Sequence, residues 1–304
     1  MRGGKLELQK VLERFIPDIR HNVFGSIHKL VTAVLHFDLE YGCESTKEKS
    51  TRFTDMSFLE VLTKEDDIDP SWARDIAFLW QDQAIQEAYM RGNEFHLMTN
   101  AEHFITSAER ILAENYKPTI DDILRMRLIT RSSVTKTYEL TSIRMTLHDM
   151  GGQRPDRNEW IRQLHEPSAI IFLASLSEYN QTVEEASERK NRVQESLDIF
   201  NDLLGYSPFE NTPVILLLNK SDIFSTKIRT QPLKNFFPDY DGPEGDEITG
   251  RDYITTLYEK SSEKHRRNLL VRYTEATNTE NFKAIFSFVN NYVSRCVIGI
   301  GGLH

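Results

Sequence analysis

Several features that would place a chain in a special class are missing or rare here. Cysteine occurs only at Cys43 and Cys296, too few and too distant for a disulfide framework, so we expect reduced thiols. The longest apolar run, AIIFLA at residues 169–174, is far shorter than the roughly 20 residues that a bilayer span needs, and MRGGKLELQK has no apolar core of a signal peptide. The net charge of −9 argues against nucleic acid as a main partner. We therefore expect a folded cytoplasmic protein with no transmembrane segment.

One chemically informative loop is also missing. In the pattern G-x-x-x-x-G-K-[ST], backbone N–H groups cradle phosphates and the hydroxyl binds Mg²⁺. Gly4 and Lys5 match only the end of this pattern, Leu6 stands where the hydroxyl would be, and no glycine precedes them at the required distance. The 304 residues therefore contain no complete phosphate loop of this kind.

The first part of the chain has the period of helices. Between residues 5 and 125, apolar residues recur at intervals of three and four, which predicts a series of amphipathic helices with core-facing stripes. Pro17 interrupts the first stripe, and Asn100 is a plausible N-cap of a later one. The stripes include Leu8, Val11, Leu12, Phe15, Ile16, Phe24, Ile27, Leu30, Val31, Val34, Leu35, Trp72, Ile76, Leu79, Phe104, Ile105, Ile111 and Leu112.

From about residue 132 the period changes to that of strands. SVTKTYEL and IRMTLHDM predict a hairpin with its turn near Leu140–Ser142. SAIIFLASLS and PVILLLNKSD are nearly continuous apolar runs, typical of strands covered by helices on both faces, and LLVRYTEAT is a further strand. Helical stripes lie between and after these runs. The alternation predicts an α/β fold with a doubly wound sheet.

Two strand ends carry residues suited to a purine base. Asn219, Lys220 and Asp222 form N-K-x-D directly after PVILLL, and a carboxylate there can accept hydrogen bonds from N1–H and the exocyclic amine of guanine. The alternative is a polar loop at a strand end. In the TEAT stretch after the next strand, Ala276 would let a backbone N–H approach a base oxygen. The alternative there is an ordinary strand-to-helix turn with Thr277 or Asn278 as the cap.

Two other stretches carry residues suited to a terminal phosphate. In DMGGQR, residues 149–154, Asp149 could hold Mg²⁺ through water, Gly152 could lend a backbone N–H, and Gln153 could orient an attacking water. Upstream, Arg127 could stabilise charge on a transferring phosphoryl group and Thr130 could ligate Mg²⁺. The alternatives are a glycine turn leaving a strand and a solvated, arginine-rich helix end.

The order and spacing of these motifs resemble those of the alpha subunits of heterotrimeric G proteins, over nearly all of residues 20 to 304. The resemblance is carried by LWQDQAIQEAYMR, YKPTIDDILR, DILRMR, DMGGQRPDRNEWI, SAIIFLASLSEYN, LLLNKSDIF and the TEAT turn. It implies a Ras-like GTPase domain with a doubly wound sheet, lacking its first strand here, and a separate all-helical domain. The implied limits are a remnant of the first GTPase-domain helix and linker at 1–19, the helical domain at 20–123 and the GTPase domain at 124–304.

The resemblance also implies residue roles. Arg127 is then a built-in arginine finger and Gln153 positions the water. Thr130 ligates Mg²⁺ with support from Asp149. The residues implied to bind the nucleotide are Thr99, Asn100, Leu124, Arg125, Asp149, Gly151, Gly152, Asn219, Lys220, Asp222 and Ala276.

The implied function is a switch that couples membrane receptors to effectors by binding and hydrolysing GTP, with GTP or GDP and Mg²⁺ as cofactors. The receptor would contact the C-terminal helix and tail, and an effector would contact the switch surface around Trp160. Binding of a beta-gamma dimer is weakened because the family's N-terminal helix is missing. The expected location is the cytoplasm, with peripheral attachment at the inner face of the plasma membrane. The missing loop keeps open an alternative, a truncated or degenerate relative that binds receptor or effector proteins without hydrolysing GTP.

Overall fold

The protein is described from a computed structural model. The described residues are 9–65, 67–127, 134–139, 144–149, 167–183, 190–265 and 269–298. The chain divides into two compact units, Met1–Leu128 and Ile129–His304. The first is built from helices, and the second combines strands with helices.

Every regular element described in the helical unit is a helix or a helical turn, as the apolar period predicts. The elements are α1 (Ile16–His36), α2 (Glu44–Ser50), a 3₁₀ turn (Thr51–Phe53), α3 (Met56–Leu62), α4 (Ser71–Trp80), α5 (Gln83–Met90), α6 (Ala101–Thr106), α7 (Ala108–Ile111) and α8 (Ile120–Arg125). The long helix α1 is central, because it packs against α3, α5 and α6.

The core of the helical unit is continuous and surrounds α1. Phe24 is fully buried, and the ring of Trp72 meets the rings of both Phe24 and Phe53 edge-on, at centroid distances of 5.9 and 5.4 Å. Pro17 lies in the first turn of α1, where its missing N–H needs no intrahelical partner. The predicted stripe extends one residue too far, since Leu35 is 63% exposed.

Side-chain caps mark several helix starts in this unit. Asp55 and Asp82 accept hydrogen bonds from first-turn amides of α3 and α5. Thr119 and Asp122 form a reciprocal capping box at α8. Asn100 precedes α6 but makes no side-chain cap, so its predicted capping role is wrong.

The first two described strands of the α/β unit pair as in the predicted hairpin, whose turn near Leu140–Ser142 lies outside the described residues. Strands β1 (Val134–Glu139) and β2 (Arg144–Asp149) pair antiparallel, with Val134 opposite Asp149. They form a two-stranded sheet of their own.

A second sheet contains β3 (Ile170–Ser175), β4 (Val214–Asn219) and β5 (Leu269–Thr274), all parallel, with β4 in the centre. The connections run through α9 (Arg192–Gly205), α10 (Ser221–Lys227) and α11 (Glu247–Lys264), and α12 (Thr279–Ile298) follows β5. Short 3₁₀ turns lie at Leu176–Glu178, Ser207–Phe209 and Leu233–Asn235.

Alternate residues of β4 pack on opposite faces of this sheet. Leu216 lies in a cluster with Phe200 of α9 and Tyr258 of α11. Leu217 packs with Val289 of α12 in a separate cluster. Helices therefore cover both faces of β4, as its apolar run predicts.

The neighbouring strand β3 is less enclosed than predicted. It pairs with β4 along one edge, and its other edge has no strand partner in the ranges that the structure describes. Leu173 in the middle of β3 is 61% exposed. The expected coverage of both faces is thus incomplete at Leu173. Within the described ranges, no helix is both long enough and apolar enough to span a bilayer.

Candidate functional site

The carboxyl ends of β4 and β5 lie side by side, because Asn219 and Thr274, the last residues of the two strands, are register partners. In an open parallel sheet this edge is where ligands commonly bind. Lys220 follows β4 directly, Asp222 lies in the first turn of the next helix, and the turn after β5 carries Ala276. The structure therefore brings four predicted site residues to one edge of the sheet.

The Asn219 side chain fastens these two turns together. Its Oδ1 accepts hydrogen bonds from Thr274 Oγ1 at 3.0 Å and from the backbone N–H of Ala276 at 3.1 Å. Asn278 then caps α12, since its Oδ1 accepts from the amides of Glu280 and Asn281, both at 3.1 Å. Asn219 thus holds the TEAT turn, and Asn278 caps the helix that follows it. The alternative role predicted for Asn278, that of a helix cap, is therefore confirmed.

Lys220 occupies an unusual backbone position. Its φ of 60° lies in the left-handed region, which non-glycine residues rarely adopt. Its Nζ donates to Glu178 Oε1 at 3.0 Å, and Arg192 donates to the other oxygen at 3.4 Å. Burial opposes ionisation of Glu178, but Lys220 and Arg192 outweigh burial and lower its pKa below the usual value. Glu178 therefore remains charged and holds the Lys220 head group.

The side chain of Asp222, unlike those of Asn219 and Lys220, is available to a ligand. It lies in the first turn of α10 and is exposed, and its carboxylate has no hydrogen-bond or ion-pair partner among the described residues. Ala276 is exposed as well, and its side chain is a single methyl group. An open carboxylate at an edge that also carries a small residue can accept two N–H donors from a flat base.

A second lysine, Lys227, holds the loop that follows β3. Lys227 Nζ donates to the backbone oxygen of Ser177 at 2.9 Å and to Asn180 Oδ1 at 3.1 Å. Burial lowers the pKa of Lys227 to about 8, although the charge of Glu178 opposes that shift. Tyr179 OH donates to the Gln231 carbonyl at 2.6 Å. These contacts tie the loop after β3 to α10.

Sequence reasoning did not assign roles to Glu178 or Lys227. Each contacts residues 40 to 50 positions away, so neither has a local signal. The one available hint was the position of Glu178 shortly after the apolar strand β3.

A different group of predicted residues lies in the helical unit. Arg127 is exposed, and its guanidinium has no partner within the part of the chain that the structure describes. Its backbone N–H donates to Asn22 Oδ1 at 2.8 Å. Asn100 Nδ2 donates to the Arg125 carbonyl at 2.9 Å.

The structure also places three other predicted nucleotide contacts in this unit, Arg125, Leu124 and Thr99. Arg125 Nε donates to both carboxylate oxygens of Asp121, at 2.9 and 3.0 Å. Leu124 is 47% exposed. Thr99 is half-buried in the loop before α6.

The residues predicted to sense a terminal phosphate are only partly described. Asp149 ends β2 and is exposed. Thr130, Gly151, Gly152 and Gln153 lie outside the described residues. In the described ranges, no group of three or more His, Cys, Asp or Glu residues could hold a metal ion.

Comparisons with known proteins agree on one family. A family model described as G-protein alpha subunit matches residues 1–293. Guanine nucleotide-binding protein subunit alpha-15 of Oryctolagus cuniculus is 33% identical over 291 residues, which cover 92% of this chain and 76% of the relative. The chain therefore belongs to the G-protein alpha-subunit family, GTPases that bind GTP or GDP with Mg²⁺ and act as guanine-nucleotide switches in signalling.

Proposed function

We propose that this chain binds guanine through Asn219, Lys220, Asp222 and Ala276, and that it hydrolyses GTP with Arg127 and Gln153. The observation that carries the proposal is the pairing of an uncommitted Asp222 carboxylate with a turn that Asn219 holds in place. A recognition group that is both free and held in place needs little reorganisation when its ligand binds.

Base selection follows from donor and acceptor chemistry. The Asp222 carboxylate is an acceptor only, and guanine presents N1–H and an amine side by side. Adenine has an acceptor in place of N1–H, so it would face the carboxylate with a repulsive lone pair. The Lys220 stem is fixed at its base by the left-handed backbone and at its tip by Glu178, so it can lie along a flat ring.

Hydrolysis is assigned to a different set of residues, with Arg127 and Gln153 as the catalytic pair. A bound Mg²⁺ would neutralise developing phosphate charge, and Thr130 with Asp149 would hold it. Arg127 would stabilise the same charge with its guanidinium, and Gln153 would orient the water. This family is a standard worked example of phosphoryl transfer, in which an arginine of this kind contributes roughly 10³–10⁵ in rate.

We also propose which surfaces of the protein contact its partners. Helix α12 packs on the sheet through Ile285, Val289 and Val293, and its continuation is proposed to contact a receptor. The segment around Trp160 is proposed to contact effectors and, more weakly, a beta-gamma dimer. The proposed location is the cytoplasm and the inner face of the plasma membrane.

The test is titration of the purified 304-residue protein with a fluorescent non-hydrolysable GTP analogue, with and without Mg²⁺. Asp222→Asn is the informative variant, and Asp252→Asn, an exposed carboxylate on α11, is the matched control. Tight binding that needs Mg²⁺ and is lost only in Asp222→Asn supports a guanine-nucleotide switch. Absence of binding by a folded wild type favours the non-hydrolysing alternative.

A further inference from the structure

The backbone that carries Arg127 is held by side chains from distant parts of the helical unit. Asn22 of α1 is 2% exposed, and its amide faces Arg127 with both of its polar atoms. Oδ1 accepts the Arg127 N–H at 2.8 Å, and Nδ2 lies 3.4 Å from the Arg127 carbonyl. These contacts join residues 105 positions apart in the sequence.

Asn100 makes a similar contact two residues earlier. Its Nδ2 donates to the Arg125 carbonyl at 2.9 Å. That carbonyl belongs to the last residue of α8, whose end has no intrahelical partner to offer it. Asn100 thus provides a hydrogen-bond donor for the last carbonyl of α8. The same contact fixes the direction in which the chain leaves the helix.

The Asn22 amide is itself fixed within α1. Its Nδ2 also donates to the Asp18 carbonyl at 2.7 Å, while the backbone carbonyl of Asn22 accepts separately from Ser26 Oγ at 2.6 Å. A buried amide with this many partners has one orientation, because flipping it would place donor against donor and acceptor against acceptor.

Helix α8 is fixed at its start as well. Asp122 is fully buried and accepts from Arg110 at 2.7 and 2.8 Å, from Tyr116 OH at 2.9 Å and from the Thr119 amide at 2.9 Å. Residues 125–127 therefore leave a helix that is held at both ends. The Arg127 guanidinium, by contrast, is exposed and has no partner in the described ranges.

We infer that Asn22 and Asn100 are positioning residues, which hold the backbone of residues 125–127 and thereby aim the Arg127 side chain. The inference rests on the catalytic role proposed for Arg127. Holding the backbone while leaving the guanidinium open lowers the reorganisation needed to place a charge against a developing anion.

The first measurement is hydrogen exchange at the Arg127 amide. In Asn22→Ala we expect exchange to speed up at least about tenfold, because the amide loses its acceptor. Ser26→Ala is the matched control, since it removes a buried hydrogen bond one turn along α1 and leaves Arg127 untouched. Unchanged exchange in Asn22→Ala would overturn the inference.

The second measurement is single-turnover GTP hydrolysis with nucleotide affinity measured in parallel. We expect Asn22→Ala to slow hydrolysis about 10- to 100-fold through misplacement of Arg127, with affinity changed less than about threefold. In an Arg127→Ala background, Asn22→Ala should cause no further loss, because it acts only through that side chain. An additive loss, or hydrolysis at the wild-type rate in Asn22→Ala, would overturn the inference and leave the proposed function standing.

Asn100→Asp provides a second variant if Asn22→Ala does not fold. It keeps the side-chain shape, replaces the donor with an acceptor, and lies at a half-buried position. We expect a loss of about 3- to 10-fold in hydrolysis, the equivalent of one ordinary hydrogen bond. Hydrolysis unchanged in this variant would count against the inference. A wild type that binds nucleotide but does not hydrolyse it would instead refute the catalytic part of the proposed function, and the inference with it.

Discussion

The helical unit and the α/β unit bury their apolar residues in different ways. In the helical unit one continuous core surrounds α1, and α1 contacts helices from both halves of the unit. In the α/β unit the sheet separates two clusters, and the larger one includes Phe200, Leu216 and Tyr258. Helices satisfy their backbone groups internally, whereas a strand depends on its neighbours. Strand β3 shows that dependence, because within the described ranges it pairs with β4 alone and its Leu173 is 61% exposed.

The largest expected effect is truncation at the centre of either core. Phe24→Ala should destabilise the helical unit by about 3–5 kcal/mol, because it empties a fully buried site next to Trp72. Phe200→Ala is the matched change in the α/β unit. Hydrogen exchange resolved by peptide should show each loss in its own unit. Equal loss of protection in both units from either variant would mean that they unfold as one.

Removing the buried carboxylate of Asp122 should have the next largest effect. Asp122→Asn should cost about 3 kcal/mol, because it leaves Arg110 without its ionic partner and breaks the capping box. Denaturant unfolding of the variant against wild type at neutral pH measures the cost. A loss under 1 kcal/mol would contradict the assignment of Asp122 as the anchor of α8.

The Asp122 carboxylate also predicts how the stability of the helical unit depends on pH. Burial opposes its ionisation, but hydrogen bonds from Arg110, Thr119 and Tyr116 outweigh burial and hold the pKa of Asp122 well below the usual range. A lowered folded pKa contributes stability above the unfolded value near 4, and that stability is lost as pH falls below about 4. Stability of the helical unit should therefore fall in that range in wild type, and less steeply in Asp122→Asn. Parallel curves would show that other carboxylates dominate.

A smaller effect is expected at the edge of the parallel sheet. Asn219→Ala should destabilise the α/β unit by about 1–2 kcal/mol, because the hydroxyl of Thr274 and the amide of Ala276 lose a shared acceptor. Guanine-nucleotide affinity should fall with it, while Asn201→Ala, another asparagine of this unit, should affect stability alone. Affinity retained in Asn219→Ala would mean that the turn keeps its shape without this amide.

The smallest effect is expected at Leu173 of β3, a strand whose outer edge has no strand partner in the ranges that the structure describes. Leu173→Ser should change stability by less than about 0.5 kcal/mol, because this side chain is mostly exposed. It should also reduce self-association, which light scattering measures, since an apolar open edge is an aggregation hazard. A loss above 1 kcal/mol would show that Leu173 is covered in solution, which would weaken the contrast between the two units.

Much of the fold was predictable because its signals are local. The stripe of α1, the hairpin of β1 and β2, and the parallel strands all follow from the period of apolar residues. The last helix shows the limit of that method. By helical spacing Phe282 shares a stripe with Ile285 and Val289, yet Phe282 is 56% exposed, whereas Phe288 packs on the sheet. Periodicity indicates a face, but the position of the neighbouring sheet decides where along the helix contact begins.

The candidate site divides in the same way. The N-K-x-D and TEAT motifs could be placed together from the sequence, because parallel strands end at one edge. The contacts that hold them could not, since Glu178 meets Lys220 across 42 positions. Asn100 illustrates the difference most directly. Its residue type predicted a helix cap, and the fold uses its amide on Arg125 instead.

The sequence by itself determined the element types, the change from helical to strand period, the motif order and the family, because each depends on residues close together along the chain. Only the tertiary structure decided which side chains hold the functional backbone. Asn22 and Arg127, 105 positions apart, meet because a buried amide and a peptide group each lacked a partner until the helices packed.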